Sequence, residues 1–265
     1  MERTVIQVEA ITFAYPNGTC IFEDFSWQVA RGEAWAVVGP SGCGKTTLLH
    51  LLAGLVRPQA GCIRIDGQVL RRPRPRTGLI LQDYGLLPWA TLRANVALGL
   101  DIRAFYGPDG VHAPRDEVLD DKEERVRYWM TRLGIHHLAG HYPHQVSGGQ
   151  RQRAAIARTL ALRPDILLMD EPFGALDALT RQDLMQLTMQ LRREEGLTTV
   201  IVTHSIEEAL YLGEYVLVLT QPPHRVATVV PNPHVGDAAC RHDRAFLALC
   251  HQLRALMGEG ACEMA

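Results

Sequence analysis

The stretch that decides the fold class is Gly39-Pro40-Ser41-Gly42-Cys43-Gly44-Lys45-Thr46. It fits the phosphate-binding pattern G-x-x-x-x-G-K-[ST], whose glycines let the backbone curl so that amide groups surround a phosphate. The apolar run 34–38 predicts a buried strand before the loop, and residues 46–53 predict a helix after it. In such a loop Lys45 reaches the β- and γ-phosphates and the Thr46 hydroxyl binds Mg²⁺. The stretch therefore predicts a nucleotide site.

Two carboxylates follow a second apolar run. Residues 166–169 predict a strand, and Asp170 and Glu171 come at its end. Ligands of open α/β folds bind at the carboxyl ends of strands. Asp170 is predicted to hold Mg²⁺ through water, and Glu171 to accept a proton from an attacking water. Together with the phosphate-binding loop, these residues indicate hydrolysis of a nucleoside triphosphate.

A second anion site is predicted where Ser147-Gly148-Gly149-Gln150 opens a helix over 150–162. The backbone amides and the positive end of a helix attract anions. The alternative is a plain glycine-rich helix start. Three arginines of this helix, Arg151, Arg153 and Arg158, are interpreted as a solvated face.

The composition excludes some function classes. The 265 residues include 27 Lys+Arg and 29 Asp+Glu, for a net charge of −2, so the chain has no basic field to hold nucleic acid. Six cysteines are too few and scattered for a disulfide scaffold. The longest apolar runs fall short of the roughly 18–20 residues that span a bilayer. We therefore expect a chain that is soluble by itself and does not bind nucleic acid.

The order of these motifs resembles the ATP-binding cassette (ABC) family, the ATPase subunits of ABC transporters. The resemblance extends to about residue 230. Its motifs are the phosphate loop, Gln82 after a strand, Val146-Ser147-Gly148-Gly149-Gln150 as the family's signature, Asp170-Glu171, Gly174-Ala175-Leu176-Asp177, and His204 after a strand. Val146 and Ser205 stand where the family usually has Leu and Asp.

The resemblance implies a fold class and a domain organisation. The fold class is α/β, a phosphate-loop NTPase core with a mainly parallel sheet, an N-terminal antiparallel β subdomain and an inserted α-helical subdomain. The expected boundaries are 1–91 with 161–232 for the core and 92–160 for the helical subdomain, leaving 233–265 as a C-terminal helix and tail. Residues 101–120 are expected to be a surface insertion.

The resemblance also implies roles for single residues. Gln82 senses Mg²⁺ and the attacking water, and His204 contacts the γ-phosphate; the alternatives are an ordinary surface amide and a structural histidine. Tyr15 stacks on adenine, or is a half-buried tyrosine at a strand end. The implied catalytic residues are Glu171, His204, Gln82 and Lys45, and the implied Mg²⁺ ligands are Thr46, Gln82 and Asp170. The implied ATP-binding residues are Tyr15, Gly39, Pro40, Ser41, Gly42, Cys43, Gly44, Lys45, Thr46, Thr47, Ser147, Gly148, Gly149, Gln150 and Asp177.

The signature residues of the family act on ATP held by a second cassette, and Asp177 resembles the residue that couples the two sites. The resemblance thus implies a homodimer, or a pair with a similar subunit. The segments 82–89 and 171–181 are similar to importers of nitrate, sulfonate, taurine and related small solutes. That group implies separate integral membrane permease subunits, an extracytoplasmic solute-binding protein, and a peripheral position on the cytoplasmic side of the inner membrane.

The segment Tyr84 to Trp89 is expected to receive a short helix of a membrane subunit, because exposed aromatic and aliphatic clusters mark interfaces. The alternative is a turn in the core. An alternative function is that of an ABC ATPase in a non-transport or export machine, such as cell division or lipoprotein release.

Overall fold

The computed structural model describes residues 4–118, 121–236 and 243–257. They divide into two compact units: the first consists of the described residues within 1–73 and 188–265, and the second of those within 74–187. In chain order the strands and helices are β1 (Thr4–Ala14), β2 (Cys20–Ala30), β3 (Ala34–Val38), α1 (Lys45–Leu52), β4 (Ala60–Ile65), β5 (Gln68–Val69), β6 (Thr77–Ile80), α2 (Leu92–Tyr106), α3 (Lys122–Arg132), α4 (Gly148–Leu160), β7 (Ile166–Asp170), α5 (Ala178–Glu195), β8 (Thr198–Val202), α6 (Ile206–Leu212), β9 (Tyr215–Val218), β10 (Thr228–Pro231) and α7 (Arg244–Met257).

An antiparallel sheet in the first unit has the strand order β2-β1-β4-β5. The turn between β4 and β5 is made by Asp66 and Gly67, both with positive φ (51° and 76°). Two such residues match the twist of a tight hairpin. The hairpin predicted around this dipeptide is confirmed.

Further strands of the first unit pair in the order β10-β9-β3-β8. β3 pairs in parallel with β8 and β9, and β10 adds to β9 in antiparallel orientation. Every residue of β3 and β8 is buried, as in parallel strands covered on both faces. Helix α1 contacts β8 and helix α6 contacts β3. The sequence did not predict β10.

Together with α6, helix α7 covers the strands β3, β9 and β10 of the first unit. Its residues Phe246, Cys250 and Leu253 pack in one cluster with residues of β3, β9 and α6. The apolar stripe predicted on this helix is confirmed at those three positions, and Leu249 of the stripe is partly buried against the same cluster. Leu256 of the predicted stripe is exposed, and Met257 is buried in the same cluster, because the spacing 246, 250, 253, 257 follows one helix face.

The second unit contains the parallel pair β6–β7 and three helices that precede β7 in the chain. Helices α2, α3 and α4 contact one another, and α4 also contacts β6. With the parallel and antiparallel strands of the first unit, these helices confirm the predicted fold class. Among the described residues, no helix is both long and apolar enough to cross a membrane.

The expectation that residues 101–120 form a surface insertion is wrong for part of the segment. Helix α2 continues to Tyr106, and three charged residues in and beside the segment are buried. Glu117 accepts hydrogen bonds from Arg103 and Arg125, and all three side chains are at most 6% exposed. Arg103 and Arg125 also donate to the carbonyls of Leu162 and Ala161, each at 2.9 Å. These contacts attach the segment to the C-terminal end of α4.

Candidate functional site

The predicted phosphate-binding loop connects β3 to α1 in the first unit. Lys45 is the first residue of α1 and is only 7% exposed. Its Nζ donates to the carbonyls of Gly39 and Pro40, at 2.8 and 2.9 Å. These bonds hold the ammonium group across the loop, where it adds positive charge to the N-terminal end of the helix.

Gly44 is needed for this loop for two reasons. Its φ is +106°, a conformation that residues with a side chain rarely adopt. A Cβ at this position would also lie 2.3 Å from Cγ2 of Ile21. The loop therefore packs directly on the start of β2. Burial raises the pKa of the neighbouring Cys43 thiol, against the smaller opposing effect of the Lys45 charge.

Tyr15 lies just after β1 and is connected to the same loop. Its hydroxyl is 2.7 Å from Oγ1 of Thr47, and its ring packs edge-on against Phe13 at 5.3 Å. The side chain remains 42% exposed. The structure thus holds an exposed aromatic ring beside the phosphate-binding loop, which is compatible with stacking on a base.

His204 is exposed and directly follows Thr203 at the end of β8. Hydrogen bonds fix the backbone around it. The Ser205 amide donates to Oγ1 of Thr203 at 3.1 Å, and Oγ of Ser205 caps α6 by accepting from the Glu208 amide at 3.2 Å. Ser205 thereby supplies the helix cap that an Asp would supply at this position.

In the second unit, the predicted strand is β7, which ends with Asp170, and Glu171 follows it. Asp170 is 5% exposed. Glu171 has a φ of +43°, a strained conformation for a residue with a side chain, and such strain clusters at functional sites. The side-chain amide of Gln82, Nε2, donates to Oε2 of Glu171 at 3.3 Å. The structure therefore brings together two of the predicted catalytic residues.

Helix α4 begins at Gly148, two residues before the predicted start, and Ser147 is its N-cap. Oγ of Ser147 accepts from the Gln150 amide at 3.3 Å, and Oε1 of Gln150 accepts from the Ser147 amide at 2.9 Å. This capping box fixes the first turn. The first-turn amides of a helix have no partner within the helix, so the motif can bind an anion.

Two other loops of the second unit reach this helix start. A Cβ on Gly148 would lie 3.3 Å from Cδ2 of Leu176 and 3.6 Å from the Tyr84 hydroxyl. A Cβ on Gly149 would lie 2.4 Å from Cγ2 of Thr180. The glycines therefore let the helix start approach the segments around 84 and 176–180.

Asp177 is exposed and lies one residue before α5. Its Oδ1 accepts from the Thr180 amide at 3.0 Å. Hydrogen bonds with the backbone and the side chain of Thr180 lower the pKa of Asp177. The carboxylate is therefore charged at neutral pH, at the N-terminal end of a helix where negative charge is stabilised.

The interpretation of the arginines on α4 as a solvated face is wrong. Arg158 donates to the carbonyls of Gly85 and Tyr84, at 2.6 and 2.8 Å. Arg151 donates to the carbonyl of Val146 at 2.8 Å, and Arg153 to that of Leu133 at 3.1 Å. The sequence held one signal for this: residues 151, 155 and 158 share a helix face, and the residue between the two arginines on that face is the apolar Ala155. The structure buries Ala155.

The predicted residues thus form two groups. Tyr15, the loop 39–47 and His204 belong to the first unit; Gln82, the motif 147–150, Asp170, Glu171 and Asp177 belong to the second. Within the described residues, no group of three His, Cys, Asp or Glu side chains is arranged as metal ligands. Two of the three Mg²⁺ ligands that the resemblance implies are of other residue types, since they are the hydroxyl of Thr46 and the side-chain amide of Gln82.

Comparisons with known proteins point to one family. Residues 22–174 match the family model described as ABC transporter. The chain is 40% identical over 229 residues to the taurine import ATP-binding protein TauB of Pseudomonas aeruginosa, covering 85% of this chain and 82% of that protein. It is 42% identical over 201 residues to the nitrate import ATP-binding protein NrtC of Synechococcus elongatus, covering 76% of this chain. The chain spans only 29% of the length of that second relative.

Two solved structures have similar folds. One is CbiO1 of Clostridium perfringens, part of the transporter complex CbiONQ, with a TM-score of 0.73 and 27% identity, covering 88% of this chain and 90% of that one. The other is the ATP-binding cassette MJ0796, a dimer bound to ADP and Pi. Its TM-score is 0.71 at 30% identity, covering 85% of this chain and 98% of that one.

Proposed function

The chain belongs to the ABC transporter family and is an ATPase, and on this premise we propose that it powers the import of a small anionic solute. The proposed solutes are like sulfonate, nitrate or taurine. Relatives at 40–42% identity are named for the import of taurine and nitrate, which supports this class. The solute would pass through separate membrane subunits while this chain hydrolyses ATP.

The phosphate-binding loop of the first unit holds the nucleotide. Backbone amides of the loop 41–46 donate to the phosphates, and Lys45 moves its ammonium group to the β- and γ-phosphates. Tyr15 stacks on adenine, a role supported by the exposed ring and the hydroxyl contact with Thr47. His204 contacts the γ-phosphate.

Mg²⁺ is the metal that the donor set of the proposed ligands favours. The hydroxyl of Thr46, the carboxylate of Asp170 and the amide oxygen of Gln82 are hard oxygen ligands, which Mg²⁺ prefers over nitrogen or sulfur. The bound ion would neutralise charge on the β- and γ-phosphates. Burial of Asp170 keeps its carboxylate in one place at the end of β7.

The hydrogen bond between Gln82 and Glu171 is the observation that carries the hydrolytic mechanism. Glu171 acts as the general base and takes a proton from the attacking water. At 3.3 Å, Nε2 of Gln82 donates to Oε2 of Glu171 and so orients the carboxylate.

A second copy, or a similar cassette, completes each site. The capped start of α4, with Ser147, Gly148, Gly149 and Gln150, binds the γ-phosphate of ATP held by the partner. Two anion-binding helix starts in one chain support this arrangement, since one bound nucleotide uses only the first. Asp177 couples the two sites.

The segment 84–89 faces the membrane subunits. Tyr84 is buried, whereas Trp89 is 74% exposed, so the segment is anchored at one end and presents an aromatic side chain at the other. Such exposed aromatics are typical of interface anchors. The chain would then lie peripherally on the cytoplasmic side of the inner membrane, and an extracytoplasmic solute-binding protein would deliver the solute. Nucleic acid is not a proposed partner.

Uptake measurements in the source cell test this function. Cells lacking the chain are given wild type or Glu171→Gln, and the uptake of labelled taurine, nitrate and a sulfonate is measured. We expect wild type, and not the variant, to restore the uptake of one of them. Normal uptake of all three without the chain, together with a defect in division or lipoprotein release, would favour the alternative machine.

A further inference from the structure

His224 belongs to the segment between β9 and β10, and its backbone lies beside the start of β2. The His224 amide donates to the Ile21 carbonyl at 2.9 Å, and its carbonyl accepts from the Glu23 amide at 3.0 Å. These two bonds form a short parallel bridge at Phe22. The bridge fixes the position from which the side chain of His224 extends.

The His224 side chain is buried and points to the phosphate-binding loop. It is 6% exposed, and its ring lies 5.4 Å from that of Phe22. Its Nε2 is 2.7 Å from the carbonyl oxygen of Cys43. A carbonyl oxygen can only accept, so Nε2 carries the proton. Burial lowers the pKa of His224, which keeps the ring neutral at pH 7 in this tautomer.

This bond determines the orientation of one peptide group of the loop. The Cys43 carbonyl and the Gly44 amide belong to the same planar trans peptide, so they point in opposite directions. With the carbonyl held by His224, the Gly44 amide points to the other side of the loop. Gly44 is the N-cap of α1, so this amide lies at the positive end of the helix, where phosphate binds.

We propose that His224 is a positioning residue of the phosphate-binding loop, and that it orients the Cys43–Gly44 peptide so that the Gly44 amide donates to the β-phosphate of the bound nucleotide. The proposal rests on nucleotide binding at this loop. The β-phosphate is common to ADP and ATP, so His224 acts equally on the two nucleotides. The chemical step does not involve this amide, so His224 affects nucleotide affinity and not turnover.

The test uses the full chain with Mg²⁺. It measures the Kd of ADP and ATP by titration, using fluorescently labelled derivatives of the two nucleotides. His224→Phe retains a ring against Phe22 but has no donor. We expect it to raise both Kd values about 10- to 150-fold, the range for losing one hydrogen bond to a charged group. The KM for ATP rises by the same factor, and kcat at saturating ATP stays within about twofold.

A pair of amide variants gives a second comparison if His224→Phe does not fold. The amide nitrogen of Gln reaches about as far as Nε2 of His, whereas that of Asn is shorter. His224→Gln is therefore expected to keep both Kd values within about twofold of wild type, and His224→Asn to raise them as the Phe variant does. Equal affinities for the Gln and Asn variants would overturn the proposal.

Asn232 is the matched control in the same unit. It too is a buried donor to backbone carbonyls, those of Leu210 and Gly213, each at 2.6 Å, at the end of α6. Asn232→Leu is expected to lower the Tm and leave both Kd values unchanged. If His224→Phe also lowers only the Tm, His224 is structural and the proposal is wrong. If wild type binds neither ADP nor ATP, the proposed function itself fails.

Discussion

Gln82 donates a hydrogen bond from Nε2 to Oε2 of Glu171, and the two side chains lie 3.3 Å apart although 89 positions separate them in the chain. The amide orients a carboxylate whose own backbone is held at a φ of +43°. The general-base role proposed for Glu171 requires a carboxylate held in one orientation, and these two features supply it.

Glu171→Gln is expected to abolish turnover without abolishing binding. The amide has the same shape but cannot take a proton, so we expect kcat to fall at least about 100-fold, the usual contribution of a general base. The Kd of ATP should stay near the wild-type value, and size exclusion with ATP should show more dimer. Glu195→Gln, at the exposed end of α5, is the control. Normal ATP hydrolysis by Glu171→Gln would remove Glu171 from this role.

Arg158→Leu tests whether helix α4 supports the segment that follows Gln82. The change removes the donors to Tyr84 and Gly85 and leaves two carbonyls without that partner. We expect kcat to fall about tenfold and the Kd of ATP to stay within about twofold, because positioning is lost while the nucleotide loop is intact. Steady-state kinetics and nucleotide titration measure the two effects.

Arg153→Leu is the control for that experiment. It lies on the same helix but donates to Leu133, outside the segment after Gln82. It should lower the Tm and leave kcat per folded molecule unchanged. The same loss of kcat in both variants would mean that the arginines act only through the stability of α4.

The sequence predicted elements where the local pattern was strong, and missed contacts between distant residues. β3 was predicted at its observed bounds because all five residues are apolar. The start of α4 was placed too late because Gly148 and Gly149 are poor helix formers, and the capping box that stabilises them appears only in the structure. β10 was missed because its four residues begin with Thr228 and end with Pro231, which leaves too short an apolar run to predict a strand. Arg158 was misinterpreted because its partner Tyr84 lies 74 positions away.

The roles of the site residues came from the resemblance, and the structure adds their surroundings. The local pattern was enough to predict the phosphate-binding loop, because the spacing of its Gly, Lys and Thr residues is what lets such a loop bind phosphate. They could not give the bond from His224 to Cys43, whose partners are 181 positions apart. The subdomain boundaries at 92–160 and the tail at 233–265 stay predictions.

Gly149→Ala tests the close approach of the start of α4 to α5. A Cβ would lie 2.4 Å from Cγ2 of Thr180, so we expect a loss of about 1–3 kcal/mol in the free energy of unfolding. Thr180→Ser removes that methyl group and should restore most of the loss in the double variant. Denaturant unfolding measures all three. Gly140→Ala, with no atom within 4 Å of the added Cβ, should change the free energy of unfolding by less than about 0.5 kcal/mol.

Glu117→Gln tests the buried ion pairs of the 101–120 segment. The change removes the carboxylate paired with the buried Arg103 and leaves Arg125 with the more distant carboxylate of Asp121, at 3.5 Å. Breaking a buried pair typically costs about 3–5 kcal/mol. Glu123→Gln removes an exposed pair with Arg93 and should cost no more than about 1 kcal/mol. Similar midpoints for both variants in denaturant unfolding would show that the pairs with Glu117 contribute no more than a surface pair.

The stability of the protein should depend on pH through His224. Burial lowers the pKa of His224 from the ordinary value of 6.5, so below about pH 6.5 the unfolded chain binds a proton that the folded chain does not. Stability contributed by the neutral ring is therefore complete above pH 6.5, and is lost as the pH falls towards the folded-state pKa. His224→Gln has no titratable group, so its free energy of unfolding should fall less than that of wild type between pH 7 and pH 5. Denaturant unfolding at both pH values measures this decrease in each protein. The other histidines contribute equally to both proteins, so their contributions cancel when the two decreases are compared. Equal decreases in the two proteins would show that the folded state accepts the proton at His224 as easily as the unfolded chain does.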